Sequence, residues 1–365
     1  MVVVATILFF IAGLLLLIGG AELLVRGASK LAARLGMSSL VIGLTVVAFG
    51  TSAPELAISM QSGFAGESDL LLGNVIGSNI FNVLLILGLS AIITPLVVSK
   101  KLIKLDVPFM IVVSIVLYLF ALSGSINRIE GIILFVTLLI YLGYLVYDSQ
   151  QNNPEEQEQL PEDNSRQAGD HWLWHLFFVV AGLGLLVLGA RWLVDSAVTF
   201  AEYLGLSSLI IGLTIVAAGT SLPEVATSIM ASIKGERDMA VGNIVGSNLF
   251  NMMCIVGLTA TVLPEDISVA DGVLAFDLPV MIAVSIACLP IFFTGNVIAR
   301  WEGVLFLIYY LVFTTYLILT ASQHNLLPLF NAAMIWFILP ITVITIIIIS
   351  VREFKHRTYR DGEFK

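Results

Sequence analysis

GMSSLVIGLTVVAFGTSAPELAISMQS, residues 36–62, returns almost intact as GLSSLIIGLTIVAAGTSLPEVATSIMA, residues 205–231. The match continues in register, with GESDLLLGNVIGSNIFNV at 66–83 against GERDMAVGNIVGSNLFNM at 235–252, at the same offset of 169 residues. Across the two blocks 27 of 45 positions are identical. Shared apolarity does not explain identical Thr, Ser, Pro, Glu and Asn at fixed places, so the chain carries an internal duplication. Fainter echoes extend it: Asp106-Val107-Pro108 with Asp277-Leu278-Pro279, and Arg128-Ile129-Glu130-Gly131 with Arg300-Trp301-Glu302-Gly303.

The duplication lies in a chain of 365 residues, 58% hydrophobic and only 12% charged. Soluble domains carry about 25% charged residues, so a soluble globular fold is excluded. A net charge of -9 with no basic patch argues against nucleic acid as a partner. Cys254 and Cys288 sit in apolar runs, far from metal-ligand spacing, and are expected to be small buried hydrophobes.

A hydrocarbon core roughly 30 Å thick is crossed by about 20 helical residues. Eleven such runs are present: 2–21, 38–62, 70–97, 106–126, 131–147, 172–190, 207–231, 239–263, 278–298, 303–321 and 327–351. They are continuously apolar rather than alternating, which speaks for helices over a β-barrel. The first run has its basic flank after it and is expected to be a membrane helix rather than a cleaved signal peptide. The stretch 148–170 holds seven acidic residues, one Arg and two Pro. That composition cannot bury a core, so it is expected to be a solvated linker, plain solubility being preferred to a calcium lure.

Cytoplasmic loops carry an excess of Lys and Arg. With the N-terminus outside, fifteen of the seventeen basic residues fall on the inner side and only Arg128 and Arg191 on the outer. The expected protein is therefore an all-α polytopic membrane protein, N-terminus outside and C-terminus cytoplasmic. Residues 1–147 form a first five-helix repeat, 148–170 an acidic cytoplasmic linker, and 171–321 a second five-helix repeat. An extra transmembrane helix at 322–351 and a basic cytoplasmic tail at 352–365 follow. The offset spans five helices, an odd number, so the ten core helices form two inverted repeats. Inverted repeats are the signature of secondary transporters, with substrate held near the midplane between them.

Glu55 and Glu224 are the only acidic residues well inside the apolar spans, and no Lys or Arg lies in a span to pair with them. Carboxylates placed so face a cavity and bind cations or protons. Thr51 and Glu55 share a helix face with Ser52 about 100° round, and Thr220, Ser221 and Glu224 repeat the set. In the next helix Asn74, Ser78 and Asn82 recur four residues apart, as do Asn243, Ser247 and Asn251. Pro54 and Pro223 lack an N–H, which leaves the carbonyls of Gly50 and Gly219 without their usual donors. Carbonyls near Ala48, Thr51, Ala217 and Thr220 are then able to line a cavity. Carboxylates, carbonyls, hydroxyls and amides without His or Cys suit hard cations such as Ca2+ or Na+.

The paired GTS-x-PE and GN-x-x-GSN-x-FN motifs resemble the two alpha repeats of the sodium/calcium exchanger family, within the calcium/cation antiporter superfamily. The resemblance covers about the first 320 residues. It implies exchange of Na+ for Ca2+ by alternating access, with these ions as cargo and no cofactor. It places Ca2+ on Glu55 and Glu224 with carbonyl help from Thr51 and Thr220. It places Na+ at Ser52, Ser221, Ser78 and Ser247 with the carbonyls of Ala48 and Ala217, and gives Asn82 and Asn251 the central polar positions. Some relatives, the potassium-dependent branch included, carry Asp at one of those Asn positions. Both are Asn here, so no potassium co-transport is expected. The short linker leaves no room for a calcium-sensing domain.

A Ca2+/H+ antiporter would need only the carboxylates; the extra serine oxygens favour Na+. A passive cation channel remains an alternative. An intramembrane enzyme lacks a nucleophile–base pair or an aspartyl dyad. The remaining polar residues have structural roles: Asp106 and Asp277 as helix N-caps, Glu130 and Glu302 as interfacial first-turn charges, and Glu67, Asp69, Glu236 and Asp238 as caps of the next helix. The expected partners are the lipid bilayer and inorganic cations, with no protein partner implied. Short loops suggest a bacterial or archaeal plasma membrane.

Overall fold

The structure is a computed structural model that describes residues 2–151, 172–203 and 217–334, with isolated positions at 336, 340 and 343. Most of the linker, the first half of the seventh expected span, most of the eleventh and the basic tail lie outside the described residues. Eight described helices are long and apolar enough to cross a membrane, and one bent pair makes a ninth. They are α1 (Val2–Leu35), the bent pair α2 (Ser39–Thr51) and α3 (Ala53–Phe64), α4 (Ser68–Ile93), α5 (Leu102–Ala121) and α6 (Arg128–Gln151). The second series is α7 (Trp172–Tyr203), α9 (Arg237–Val262), α10 (Val273–Phe293) and α11 (Arg300–Ala321), with the shorter α8 (Leu222–Ile233), 12 residues and below crossing length, between α7 and α9. A short α12 (Leu327–Ala333) follows. The chain is an all-α polytopic membrane protein, as the apolar runs require.

Two long helices depart from the expected spans. α1 holds 34 residues rather than stopping at its basic flank, and α7 holds 32. At 1.5 Å per residue α1 runs about 50 Å, well beyond the hydrocarbon core. Glu22, Arg26, Lys30 and Arg34 follow one another at four-residue spacing, a pattern that continues a helix into the interface instead of breaking it. Lys234 ion-pairs with Glu22 at 2.9 Å and ties this extension to the end of α8. α1 and α7 run antiparallel at backbone contact: a Cβ on Gly13 would lie 2.9 Å from Gly189 O, and one on Gly20 would lie 2.8 Å from Gly182 O. Small residues permit this approach where lipid supplies no hydrophobic drive between helices. The helix α6 likewise runs on to Gln151, where Asp148 ion-pairs with Lys101.

Among the described residues, four two-residue strands report the symmetry. β1 (Leu96–Val97) pairs antiparallel with β4 (Val297–Ile298), and β2 (Ser125–Ile126) with β3 (Ile267–Ser268). β1 and β3 follow the equivalent helices α4 and α9, yet they lie in different sheets. Between β3 and β4 runs α10, 21 residues and so about 31 Å long. β4, and β1 with it, therefore sits one membrane thickness from β3. Equivalent elements at opposite ends of the bundle are what inversion means.

The duplicated Arg-x-Glu-Gly stitches the halves together. Arg128 donates to Leu263 O at the end of α9 (2.8 Å), and Arg300 to Ile92 O near the end of α4 (3.1 Å). Each guanidinium satisfies a C-terminal carbonyl of the opposite half and meets the negative end of its dipole. Glu130 and Glu302 accept from the backbone N–H of Asn127 and Ala299 at 2.9 and 2.8 Å, which starts α6 and α11. A Cβ on Gly303 would fall 2.6 Å from Gly88 O, so α11 touches α4 through backbone.

Asp106 and Asp277 correct an expectation. Neither caps a helix: α5 and α10 begin earlier, through π-helical turns at Leu102–Asp106 and Val273–Asp277. Pro108 and Pro279 lack the N–H that an α-helix would direct four residues back, and the extra residue of a π-turn absorbs the mismatch. Asp106 is instead fully buried and accepts a hydrogen bond from Tyr141 Oη at 2.9 Å. Glu67 and Glu236 occupy the positions ahead of α4 and α9 but make no side-chain capping bond. Glu236 takes the Ser29 hydroxyl instead. The turns into α4 and α9 rest on Gly66 and Gly235, whose φ values of 78° and 83° are open to glycine.

Candidate cation-binding site

The GTS-x-PE motif breaks its helix. α2 and α3 meet at Ser52 with a bend of 46°. Ser52 has φ -80° and ψ 6°, and Ser221 at the equivalent break has φ -89° and ψ 8°. Both serines lie in the sparsely populated bridge region. Pro54 and Pro223 then fall in the first turns of α3 and α8, where a missing N–H costs nothing. The Gly50 carbonyl is not left bare as expected: N–H groups at the break reach the carbonyls of Ala48 and Gly50.

Glu55 and Glu224 occupy the first turns of α3 and α8. The positive ends of the two half-helix dipoles favour a carboxylate there. Both side chains are about 1% exposed. The contacts cross the pseudo-two-fold axis: Ser221 Oγ donates to Glu55 Oε1 at 2.9 Å, and Ser52 Oγ to Glu224 Oε1 at 3.1 Å. Ser78 Oγ stands 3.2 Å from Ser221 Oγ. Six of the expected residues, Glu55, Glu224, Ser52, Ser221, Ser78 and Thr51, are thus buried, with Ser78, Ser221 and Glu55 in one hydrogen-bonded group and Ser52 with Glu224 in another.

The hydroxyl of Thr51 is within reach of Val47 O at 3.1 Å and of Asn243 Oδ1 at 3.2 Å. Asn243 in turn donates to Ser228 Oγ at 2.9 Å. In the other half Asn74 donates to Ser59 Oγ at 2.9 Å and to the Glu55 carbonyl at 3.3 Å. Ala48 is fully buried at the end of α2. In the second half the described residues resume at Ala217, and Ala217–Gly219 is helical ahead of the second break. Asn82 and Asn251 lie one helical turn beyond Ser78 and Ser247 on the same faces. Asn82 Nδ2 donates to Asn248 Oδ1, and Asn251 Nδ2 to Asn79 Oδ1, both at 3.0 Å.

Sequence reasoning did not assign Ser59, Ser228, Asn79 and Asn248. The signal was available, since all four are identical between the repeats and Ser59 and Ser228 fall four residues after the glutamates.

Among the described residues, several buried oxygens have no hydrogen-bond partner: Glu55 Oε2, Glu224 Oε2, Asn82 Oδ1, Asn251 Oδ1, Thr220 Oγ1 and Ser247 Oγ. The first four come as two symmetric pairs and can only accept. A buried acceptor left unmade costs about 1–3 kcal/mol, more when charged. Those four acceptors would be stabilised by a positive ligand and repel an anion.

The sodium/calcium exchanger protein family matches residues 5–147 and 174–319. The sodium/calcium exchanger MaX1 of Methanosarcina acetivorans is 34% identical over 316 residues, covering 77% of this chain and 89% of its own. The inner membrane protein YrbG of Escherichia coli is 38% identical over 242 residues, 64% of this chain and 72% of its own. A solved structure of the sodium-calcium exchanger NCX_Mj, 31% identical, overlays with a TM-score of 0.72 over 85% of this chain and 98% of that one. With its broken helices, its crossed Ser–Glu pairs and a match over both halves, the chain belongs to the sodium/calcium exchanger family of membrane antiporters, which are transporters and not enzymes.

Proposed function

We propose that this chain exchanges Na+ for Ca2+ by alternating access and serves to expel Ca2+. Glu55 and Glu224 hold Ca2+ with the carbonyls of Thr51 and Thr220. Na+ takes positions drawing on Ser52, Ser221, Ser78 and Ser247, the carbonyls of Ala48 and Ala217, and the amides of Asn82 and Asn251. The observation that carries the reading is the set of buried acceptor oxygens on Glu55, Glu224, Asn82 and Asn251 without donors. Hard oxygens of this kind suit Ca2+ and Na+.

The exchange is between two five-helix repeats, 1–147 and 171–321, in a plasma membrane with the N-terminus outside. One Ca2+ or two Na+ neutralise the two carboxylates. Three Na+ would leave one positive charge, and moving it across the membrane is worth about 2.3 kcal/mol per 100 mV.

The test uses vesicles loaded with Na+ and given external radiolabelled Ca2+. Uptake should follow the outward Na+ gradient and vanish in Glu55→Gln and Glu224→Gln. Uptake indifferent to Na+ but driven by a pH gradient would replace Na+ with H+. Currents that follow the Ca2+ gradient alone would make the protein a channel.

A further inference from the structure

We propose that Asn79 and Asn248 are positioning residues that fix which way the amides of Asn82 and Asn251 face, leaving their oxygens free for a cation. An asparagine amide has two ends of similar shape, one that accepts and one that donates. Turned the wrong way, Asn82 or Asn251 would offer a bound cation an N–H group. Something must choose the orientation.

The choice traces back to groups that cannot donate. Asn248 Nδ2 faces the Asn79 carbonyl at 3.3 Å and the Met110 thioether at 3.7 Å. Asn79 Nδ2 faces the Met281 thioether at 3.4 Å. Carbonyl oxygen and thioether sulfur are acceptors only, so the nitrogens of Asn79 and Asn248 are directed to them. That turns the oxygen of Asn248 toward Asn82 and the oxygen of Asn79 toward Asn251, each taking an amide N–H at 3.0 Å. Asn82 Oδ1 and Asn251 Oδ1 are then the ends left without a partner among the described residues. All four asparagines are about 1% exposed, so water does not compete for these ends. The relay occurs twice, on opposite sides of the pseudo-two-fold axis, with Met110 on α5 and Met281 on α10 in equivalent places.

This inference rests on the cation-site reading and deepens it. The test is a double-mutant cycle on the full chain in proteoliposomes, reading the KM for Ca2+ in Na+-driven uptake. Asn248→Ala should raise the KM roughly tenfold in the native background and in Asn251→Ala, but by less than about twofold in Asn82→Ala, where no amide is left to orient. Asn79→Ala should show the mirror pattern, coupled to Asn251 and not to Asn82. The volume-conserving Met281→Leu folds even if the alanine variants do not, and should raise the KM about threefold only while Asn251 is present. The same factor in every background, or a native KM in Met281→Leu, overturns the proposal, because a purely structural role is not coupled to one distant amide. Native KM values in Asn82→Ala and Asn251→Ala overturn it too. Glu55→Gln reports separately on the cation-site reading: if it alone abolishes uptake, the site stands and the relay fails.

Discussion

The seam between α2 and α9 sets the position of the site, and one methyl group is enough to test it. A Cβ on Gly246 would lie 2.8 Å from the Cα and O of Leu44 and 2.8 Å from Ala48 Cβ. Ordinary van der Waals contact begins near 3.4–4 Å, and two of the three opposing atoms are backbone. α2 must therefore move away by about 0.6–1.2 Å in Gly246→Ala. Thr51 and Ser52 end that helix. Their contacts to Asn243 and Glu224, at 3.2 and 3.1 Å, would stretch to roughly 4 Å and be lost as hydrogen bonds.

The neutral contact is worth about 1 kcal/mol and the one to the carboxylate about 1.5–3 kcal/mol. Part of that is recovered as α2 settles, so about 2 kcal/mol of preorganisation should go, a roughly 30-fold rise in the KM for Ca2+. Na+-driven Ca2+ uptake against Ca2+ concentration reads this directly. The control is Gly184→Ala on α7, where an added Cβ meets nothing within 4 Å and helix propensity gains about 1 kcal/mol. It should transport normally and melt no lower than the native protein. A Gly246→Ala protein with native KM would refute the claim that this seam holds Thr51 and Ser52 in place.

Arg128→Ala should lower the thermal unfolding midpoint by a few degrees, and Arg300→Ala by less, because the first contact is half-buried and the second exposed. Intrinsic fluorescence in detergent would read both. Tyr141→Phe strips the buried Asp106 of its hydrogen bond and should cost about 1–3 kcal/mol of stability, with Asp106→Asn in the same background recovering part of it. Cys254 and Cys288 are buried, so a membrane-impermeant maleimide should label the folded protein at neither and the denatured protein at both.

Much of the site was legible because duplication marks it. Identical Thr, Ser, Pro and Glu at a fixed offset stood out against interchangeable apolar residues, and the structure brings most of them into contact. Other features leave no such mark. A π-turn inserts one residue of register without a change in composition, so Asp106 and Asp277 look like caps two residues before Pro. The extension of α1 past its basic flank was hidden because charge normally ends an apolar span. Contacts such as Ser52 with Glu224 join residues 172 apart, and no local periodicity reports which polar groups meet across a bundle.

The crossed wiring also constrains how the site handles charge. Each glutamate spends one oxygen on a serine of the opposite half and keeps the other free. On the proposed function, a cation between them would meet one carboxylate oxygen from each repeat, not a bidentate carboxylate from one. Binding of that kind would act on both halves at once, through Ser52 at the end of α2 and Ser221 at the equivalent break. Had Ser52 paired with Glu55 and Ser221 with Glu224, each half would hold its own carboxylate, and occupancy would say nothing about how the halves sit. Because the pairs are crossed, a movement that separates the two breaks would lengthen Ser–Glu bonds worth about 1.5–3 kcal/mol each. On the proposed function a bound ion would offset that cost, and occupancy of the site would be coupled to rearrangement of the fold.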